Sequence, residues 1–201
     1  MKRASLLSLS FSASLAVVGI GLLTKMQSTP AEPAPIFQPI ISDIRAQLPQ
    51  GTEIRLPSTF PTLDRSVLSK GLFVDFPIDG KIYPYVDSKN EAITVNFGLT
   101  PNCAAFARPD QCTLGAIGVF KSREPKFWPP KGDNVTPIDL SNGIRGYHLT
   151  RGSGHNTLRY VYWQQNGWQY MLGTAAFAMT KEQIIDTASS AASEPSITSA
   201  N

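Results

Sequence analysis

The sequence predicts an α+β fold: a curved antiparallel sheet of about six to eight strands, with an N-terminal and a C-terminal helix packed on one face. Three observations predict it. Short runs rich in β-branched and aromatic residues follow one another between residues 81 and 174, punctuated by Pro, Gly and Asn. An apolar stripe at helical spacing precedes them, and a helix-start pattern follows them.

Composition sets the outer bounds. The 201 residues allow one domain of ordinary size, or one domain with tails. Only 16% are charged, against a usual ~25%. The 16 prolines and 15 glycines make the chain rich in turns, which argues against a long helical bundle or coiled coil. A wholly disordered chain is excluded, because aromatic and aliphatic residues recur from Ile36 to Ile185. No internal repeat is visible.

The first segment, 1–31, reads as an address. Lys2 and Arg3 precede an uncharged run over 4–24 whose centre, 15–23, is strongly apolar. This is an export-signal pattern. Two outcomes stay open. Small residues at Thr29-Pro-Ala31 suit cleavage, and serines dilute the first half of the run. Yet an uncharged run of this length can span a ~30 Å hydrocarbon core as a single N-terminal membrane anchor. Either way the globular part is expected outside the cytoplasm, periplasmic or extracellular, because the positive flank stays inside. No cysteine precedes Cys103, so a lipoprotein anchor is not expected.

The net charge of +3 belongs to that segment. With Lys2, Arg3 and Lys25 set aside from the 18 basic residues, basic and acidic residues balance at 15 each. A nucleic-acid partner needs a basic footprint. The one basic cluster, Lys121, Arg123, Lys126 and Lys131, is interrupted by Glu124 and Asp133 and reads as a solvated loop. No nucleic acid is expected.

Residues 32–49 read as linker and amphipathic helix. Ile36, Phe37, Ile40, Ile41, Ile44 and Leu48 recur at helical spacing, stopped by Pro49 and Gly51. Arg45 is the only basic residue among them, which favours packing on a sheet over lying on a membrane surface. A single domain is expected over 50–191. Its candidate extended segments are 54–56, 72–76, 81–86, 92–99, 113–120, 144–150, 157–163 and 168–174. The stretch 127–132 is too rich in proline for a central strand. Thr180-Lys-Glu-Gln183 is a capping-box pattern and starts a helix over about 181–191. Residues 192–201 are polar and read as a disordered tail, whose removal costs less than ~0.5 kcal/mol.

Asn166-Gly167 between two β-rich runs is the strongest hairpin signal in the chain. A two-residue turn pairs Gln165 with Trp168, so Trp163 faces Tyr170 and Val161 faces Leu172. These residues and Trp168 make one face, the core candidate. The other face carries Leu158, Tyr160, Tyr162 and Met171, diluted by Gln164 and Gln169. Phenol groups on such a face can take hydrogen bonds. Tyr160, Tyr162 and Met171 are therefore the candidate binding residues, beside the plainer reading of a solvated or loop-covered face.

Cys103 and Cys112 are the only cysteines. In an exported chain an even pair reads as a disulfide. Closing this loop contributes about 2.7 kcal/mol in the chain-entropy model. CxxC redox spacing and zinc-finger spacing are absent.

Signatures of chemistry are few. There is no GxGxxG, Walker loop, HExxH or GxSxG. Ser153 and His155 are two apart on a glycine loop, and no acid is placed near them by sequence. His148 and His155 make no metal motif. Asp75 and Asp79 flank Pro77, and Asp133 and Asp139 flank Pro137, but sequence does not place any two across a cleft. Trp128 beside Pro129-Pro130 reads either as an exposed aromatic binding element or as a loop packing its own tryptophan. No catalytic residue, metal or cofactor is assigned.

Leu56-Pro-Ser-Thr-Phe-Pro61 resembles an LPSxLP motif. After it come the alternating run 92–99, the cysteine pair, Pro137-Ile-Asp-Leu-Ser-Asn-Gly-Ile-Arg-Gly-Tyr147, Tyr162-Trp-Gln-Gln-Asn-Gly-Trp-Gln-Tyr170 and the last helix. This order resembles an uncharacterised group of exported, largely cyanobacterial proteins. It is more distantly similar to the domain-of-unknown-function modules of sporulation lipoproteins and of anti-sigma-factor outer segments. The resemblance covers roughly 50–190. It implies a curved antiparallel sheet with helices that binds a hydrophobic or protein ligand, and it brings no catalytic residues. Phe60 departs from the leucine or smaller aliphatic residue expected there. No sigma-binding domain is seen before the apolar segment.

The function expected from these observations is a non-enzymatic exported module that senses or binds a partner protein of the envelope or an amphiphilic ligand. The alternatives are a cell-envelope hydrolase acting on glycan or cell-wall substrates, and a structural envelope component.

Overall fold

The structure, a computed structural model, describes residues 32–66, 68, 79–89, 92–121, 128–132 and 134–199. The expected export signal or anchor over 1–31 and the expected strand 72–76 lie outside these residues. No helix among the described residues is long and apolar enough to cross a membrane.

The apolar stripe near the N-terminus forms two pieces. A 3-10 helix, Pro35–Ile40, runs into an α-helix, α1 (Ile41–Gln47). One continuous helix was expected, and Pro39 divides it. Proline lacks an N–H and disfavours α geometry at the residue before it. The buried side of both pieces keeps its spacing in Phe37, Ile44 and Leu48.

Next come β1 (Glu53–Ile54), β2 (Tyr83–Lys89), β3 (Ala92–Gly98), β4 (Thr113–Lys121), β5 (Val135–Asp139), β6 (Arg145–Arg151), β7 (Leu158–Gln165) and β8 (Trp168–Ala175). The chain ends in α2 (Lys181–Ser193) and β9 (Ile197–Thr198). Strands β2 to β8 form one antiparallel sheet in the order β2-β3-β4-β8-β7-β6-β5. This is the α+β architecture that the sequence predicts, with an open sheet.

The hairpin at Asn166-Gly167 fixes the register of the sheet's centre. Both turn residues have positive φ, 52° and 82°, as a type I′ turn requires. Gln165 pairs with Trp168, Trp163 with Tyr170 and Val161 with Leu172. Val161, Trp163, Tyr170 and Leu172 are all fully buried. The rings of Trp163 and Tyr170 stack 5.0 Å apart. Ile93, Val95, Ile117 and Val119 extend this inner face across β3 and β4.

Helices cover that face. A capping box starts α2: the Thr180 hydroxyl accepts from the Gln183 N–H, and the Gln183 side chain accepts from the Thr180 N–H. Ile184, Ala188 and Ala191 are buried in the same cluster as the sheet's inner residues. Phe37 and Ile44 join it. Phe60 also packs there, meeting Phe37 and Phe97 edge-on at 5.9 and 5.0 Å, so an aromatic residue fills a place where an aliphatic one was expected.

Three other expectations differ from what is seen. First, β5 forms over a stretch that is not among the expected extended segments, and it contains Pro137. Among the described residues it is an edge strand, and alternate N–H groups of an edge point away from the sheet, where proline is tolerated. The opposite edge, β2, contains Pro84. Second, 32–49 is no separate linker: the Ala34 N–H donates to the Pro57 carbonyl at 2.8 Å, and Ala34 is buried. Third, the tail expected to be disordered from 192 is ordered through 199. Helix α2 runs to Ser193, and Ile197–Thr198 pairs antiparallel with Glu53–Ile54. Ile197 is buried in the main core. A side-chain clasp holds the same place: Arg55 donates to the Glu194 carbonyl, and Asn166 donates to Glu53 Oε1 at 2.9 Å.

Two stability measurements follow. Trp163→Ala, which empties the stacked site, is expected to cost roughly 3–5 kcal/mol in urea unfolding. Truncation after Glu194 removes β9 and the buried Ile197, and is expected to cost roughly 1.5–3 kcal/mol. A truncated chain within ~0.5 kcal/mol of the full chain would mean that β9 adds nothing.

Candidate functional site

The outer face of the sheet gathers the tyrosines. Register places Tyr83, Tyr85, Tyr147, Tyr160 and Tyr162 there, and Tyr170 alone points into the core. The same periodicity gives both results, because alternate residues of a strand face opposite sides.

Of the expected binding residues, Tyr162 lies opposite Tyr147 on β6 and Met171 on β8. Tyr160 lies opposite Leu149 and Gly173. A Cβ on Gly173 would come within 2.8 Å of the Tyr160 ring, so glycine lets that ring lie over the strand. The Tyr160 and Tyr162 rings are 5.9 Å apart and tilted by 32°. Burial pushes the Tyr162 phenol up from its ordinary value, and the nearby Arg151 charge partly offsets this.

A cavity of about 560 Å³ opens on this face. Its apolar lining includes Phe120, Trp128, Val135, Leu149 and Tyr162, and Gln169 adds an amide. Lys131 and Arg151 supply its charged groups. Trp128 stands edge-on to Tyr147 at 5.3 Å and 88°. The half-buried tryptophan therefore packs on the sheet, as the second of its two sequence readings has it, and also walls a cavity.

The expected trio is divided. Tyr162 lines the cavity, whereas Tyr160 and Met171 lie beside it on the same face and are not part of the described lining. Sequence reasoning missed Leu149, Phe120 and Arg151 as site residues. Their outward parity was readable once each strand was aligned, but the pairing of β4 with β8 and of β6 with β7 was not.

The other candidates lie apart from it. Cys103 and Cys112 form a buried disulfide with Cα atoms 5.7 Å apart. His155 sits in an exposed 3-10 turn, Gly154–Asn156, with the extended Ser153 just before it and Gly152 and Gly154 at positive φ. Asp79 accepts from the Tyr83 hydroxyl at 2.6 Å, and Asp139 pairs with Arg145 at 3.3 Å, so both carboxylates are used locally. Asp75 and Asp133 lie outside the described residues, as do Arg123 and Lys126 of the basic cluster. Among the described residues no group of three or more His, Cys, Asp or Glu is placed to hold a metal ion.

Comparison of the chain with protein-family models, curated proteins and solved structures returns no match.

His148 is buried on the inner side of β6, opposite Val161, and its Nε2 has no hydrogen-bond partner among the described residues. Burial, then the Lys181 and Arg159 charges, hold its pKa below the ordinary value, and Glu182 opposes this weakly. Below about pH 6.5 the unfolded chain takes up this proton while the folded chain resists it. Stability is therefore expected to fall as pH drops from about 6.5 towards 5, before most carboxylates titrate. Urea midpoints across that range should decline for the native chain and flatten for His148→Gln. A decline of equal slope in both would assign the effect elsewhere.

Proposed function

We propose that this chain is a non-enzymatic binding module, exported from the cytoplasm, that holds an amphiphilic ligand on the outer face of its sheet. The observation that carries this reading is the cavity walled by Trp128, Phe120, Leu149 and Tyr162. Its size falls in the range of small-molecule sites, and its mix of aromatic surface with a few polar groups is the usual lining of such sites. Tyrosine and tryptophan suit a ligand with one apolar and one polar end, because each offers a ring and a hydrogen-bonding tip.

Export rests on the charge-flanked apolar segment at 4–24 and fits with the disulfide. The buried Cys103–Cys112 bond is consistent with an oxidising compartment such as the periplasm or the extracellular space. An amphiphile is favoured over a protein partner because the aromatic and the charged side chains meet in a recess of ligand size.

The test is calorimetric titration with dodecyl maltoside and dodecyl phosphate, both below their micelle concentrations. Saturable binding of at least one is expected. Tyr162→Ser should weaken it roughly tenfold, and Tyr160→Ser less, with little change in the unfolding midpoint of either. Heat effects that never saturate, or variants that lose binding only in step with unfolding, would overturn the proposal.

A further inference from the structure

We infer that the cavity selects amphiphiles with an anionic head group, held by Arg151 and Lys131. The inference rests on the reading that this cavity is a binding site, and it adds the ligand's charge and orientation.

The argument begins with β6. Its outward residues run Tyr147, Leu149, Arg151, from aromatic to aliphatic to cationic. On β7 the outward series Tyr162, Tyr160, Leu158 runs the same way beside it, since Tyr162 pairs with Tyr147 and Leu158 with Arg151. Leu158 is one of the few large apolar side chains that are exposed among the described residues. Along this direction the face therefore keeps an apolar floor and gains a positive charge at one end.

The second cation arrives at the same end from another element. Val135, near the start of β5, pairs with Leu149. Lys131 precedes β5, and Arg151 ends β6, so antiparallel pairing brings both to the same side of the Val135–Leu149 pair. Both line the cavity. Among the described residues neither is paired with a carboxylate. The remaining described polar lining, Asn134, Thr150 and Gln169, is uncharged.

Two exposed cations beside an apolar recess cost little to keep, because water solvates them. A ligand that places its chain against Trp128, Phe120 and Leu149 brings its head towards these charges. A phosphate, sulfate or carboxylate there gains charge-assisted hydrogen bonds, and the guanidinium offers two parallel donors. A cationic head is repelled by the same groups. The shared ligand chemistry is an anionic oxygen head on an apolar body.

The experiment uses the chain as recovered from the exporting cell. Dodecyl phosphate, dodecyl maltoside, dodecyltrimethylammonium and inorganic phosphate are titrated separately at low salt. Dodecyl phosphate is expected to bind roughly tenfold tighter than dodecyl maltoside, with dodecyltrimethylammonium weakest. Raising the salt should narrow the gap. The double variant Arg151→Glu with Lys131→Glu should reverse the order of the phosphate and the ammonium while leaving the unfolding midpoint in place.

Equal binding of the phosphate and the maltoside would overturn the charge selection and leave the amphiphile site standing. Inorganic phosphate binding as tightly as dodecyl phosphate would show that the apolar wall contributes nothing, and would overturn the ligand class. Absence of saturable binding by every probe would overturn both this inference and the reading beneath it.

Discussion

The Asn166-Gly167 turn is the constraint on which the rest depends. It fixes one register, and that register sorts the side chains of two long strands onto opposite sides. Val161, Trp163, Tyr170 and Leu172 become core. Tyr160, Tyr162 and Met171 become the outer face. A slip of one residue would expose the stacked pair and bury the phenols of the outer side without partners. The helices can cover the inner face only because this sorting makes it continuous with the inner residues of β3 and β4.

The ends of the chain lock the same region. Glu53 accepts from Asn166 and lies within 3.5 Å of the Tyr170 hydroxyl, so β1 grips the hairpin at its turn. Arg55 reaches the carbonyl of Glu194 just beyond α2, and Ile197 sits in the core. The 3-10 and α-helical segment over 35–47 closes the other side of the inner face. The fold is thus fastened across its longest sequence separations at the base of its most local motif.

Much of this was legible in the sequence because the signals are local. The hairpin, its register and its two faces need only a turn type and period two. The capping box at Thr180 and the Cys103–Cys112 pair are equally self-contained. What escaped was set by distant partners. Pro137 argues against a strand unless that strand is known to lie at an edge. Ile197 is one apolar residue in a polar tail, and its strand exists only because Glu53–Ile54 waits for it. The cavity draws Phe120, Trp128, Leu149 and Tyr162 from β4, a loop, β6 and β7, and no periodicity announces that meeting. Tyr162 was readable as an outward residue, but its membership of a recess was not.

The prolines at the two rims of the sheet carry a consequence for how the sheet could be extended. Among the described residues Pro84 and Pro137 lie in the first and last strands of the sheet, and each leaves its rim one donor short, so a neighbouring chain finds a broken template for zipping on. Accretion strand by strand, the route to ribbons and fibrils, is discouraged at both borders. Each proline thus weakens, at its own rim, the ladder on which an added strand would have to build.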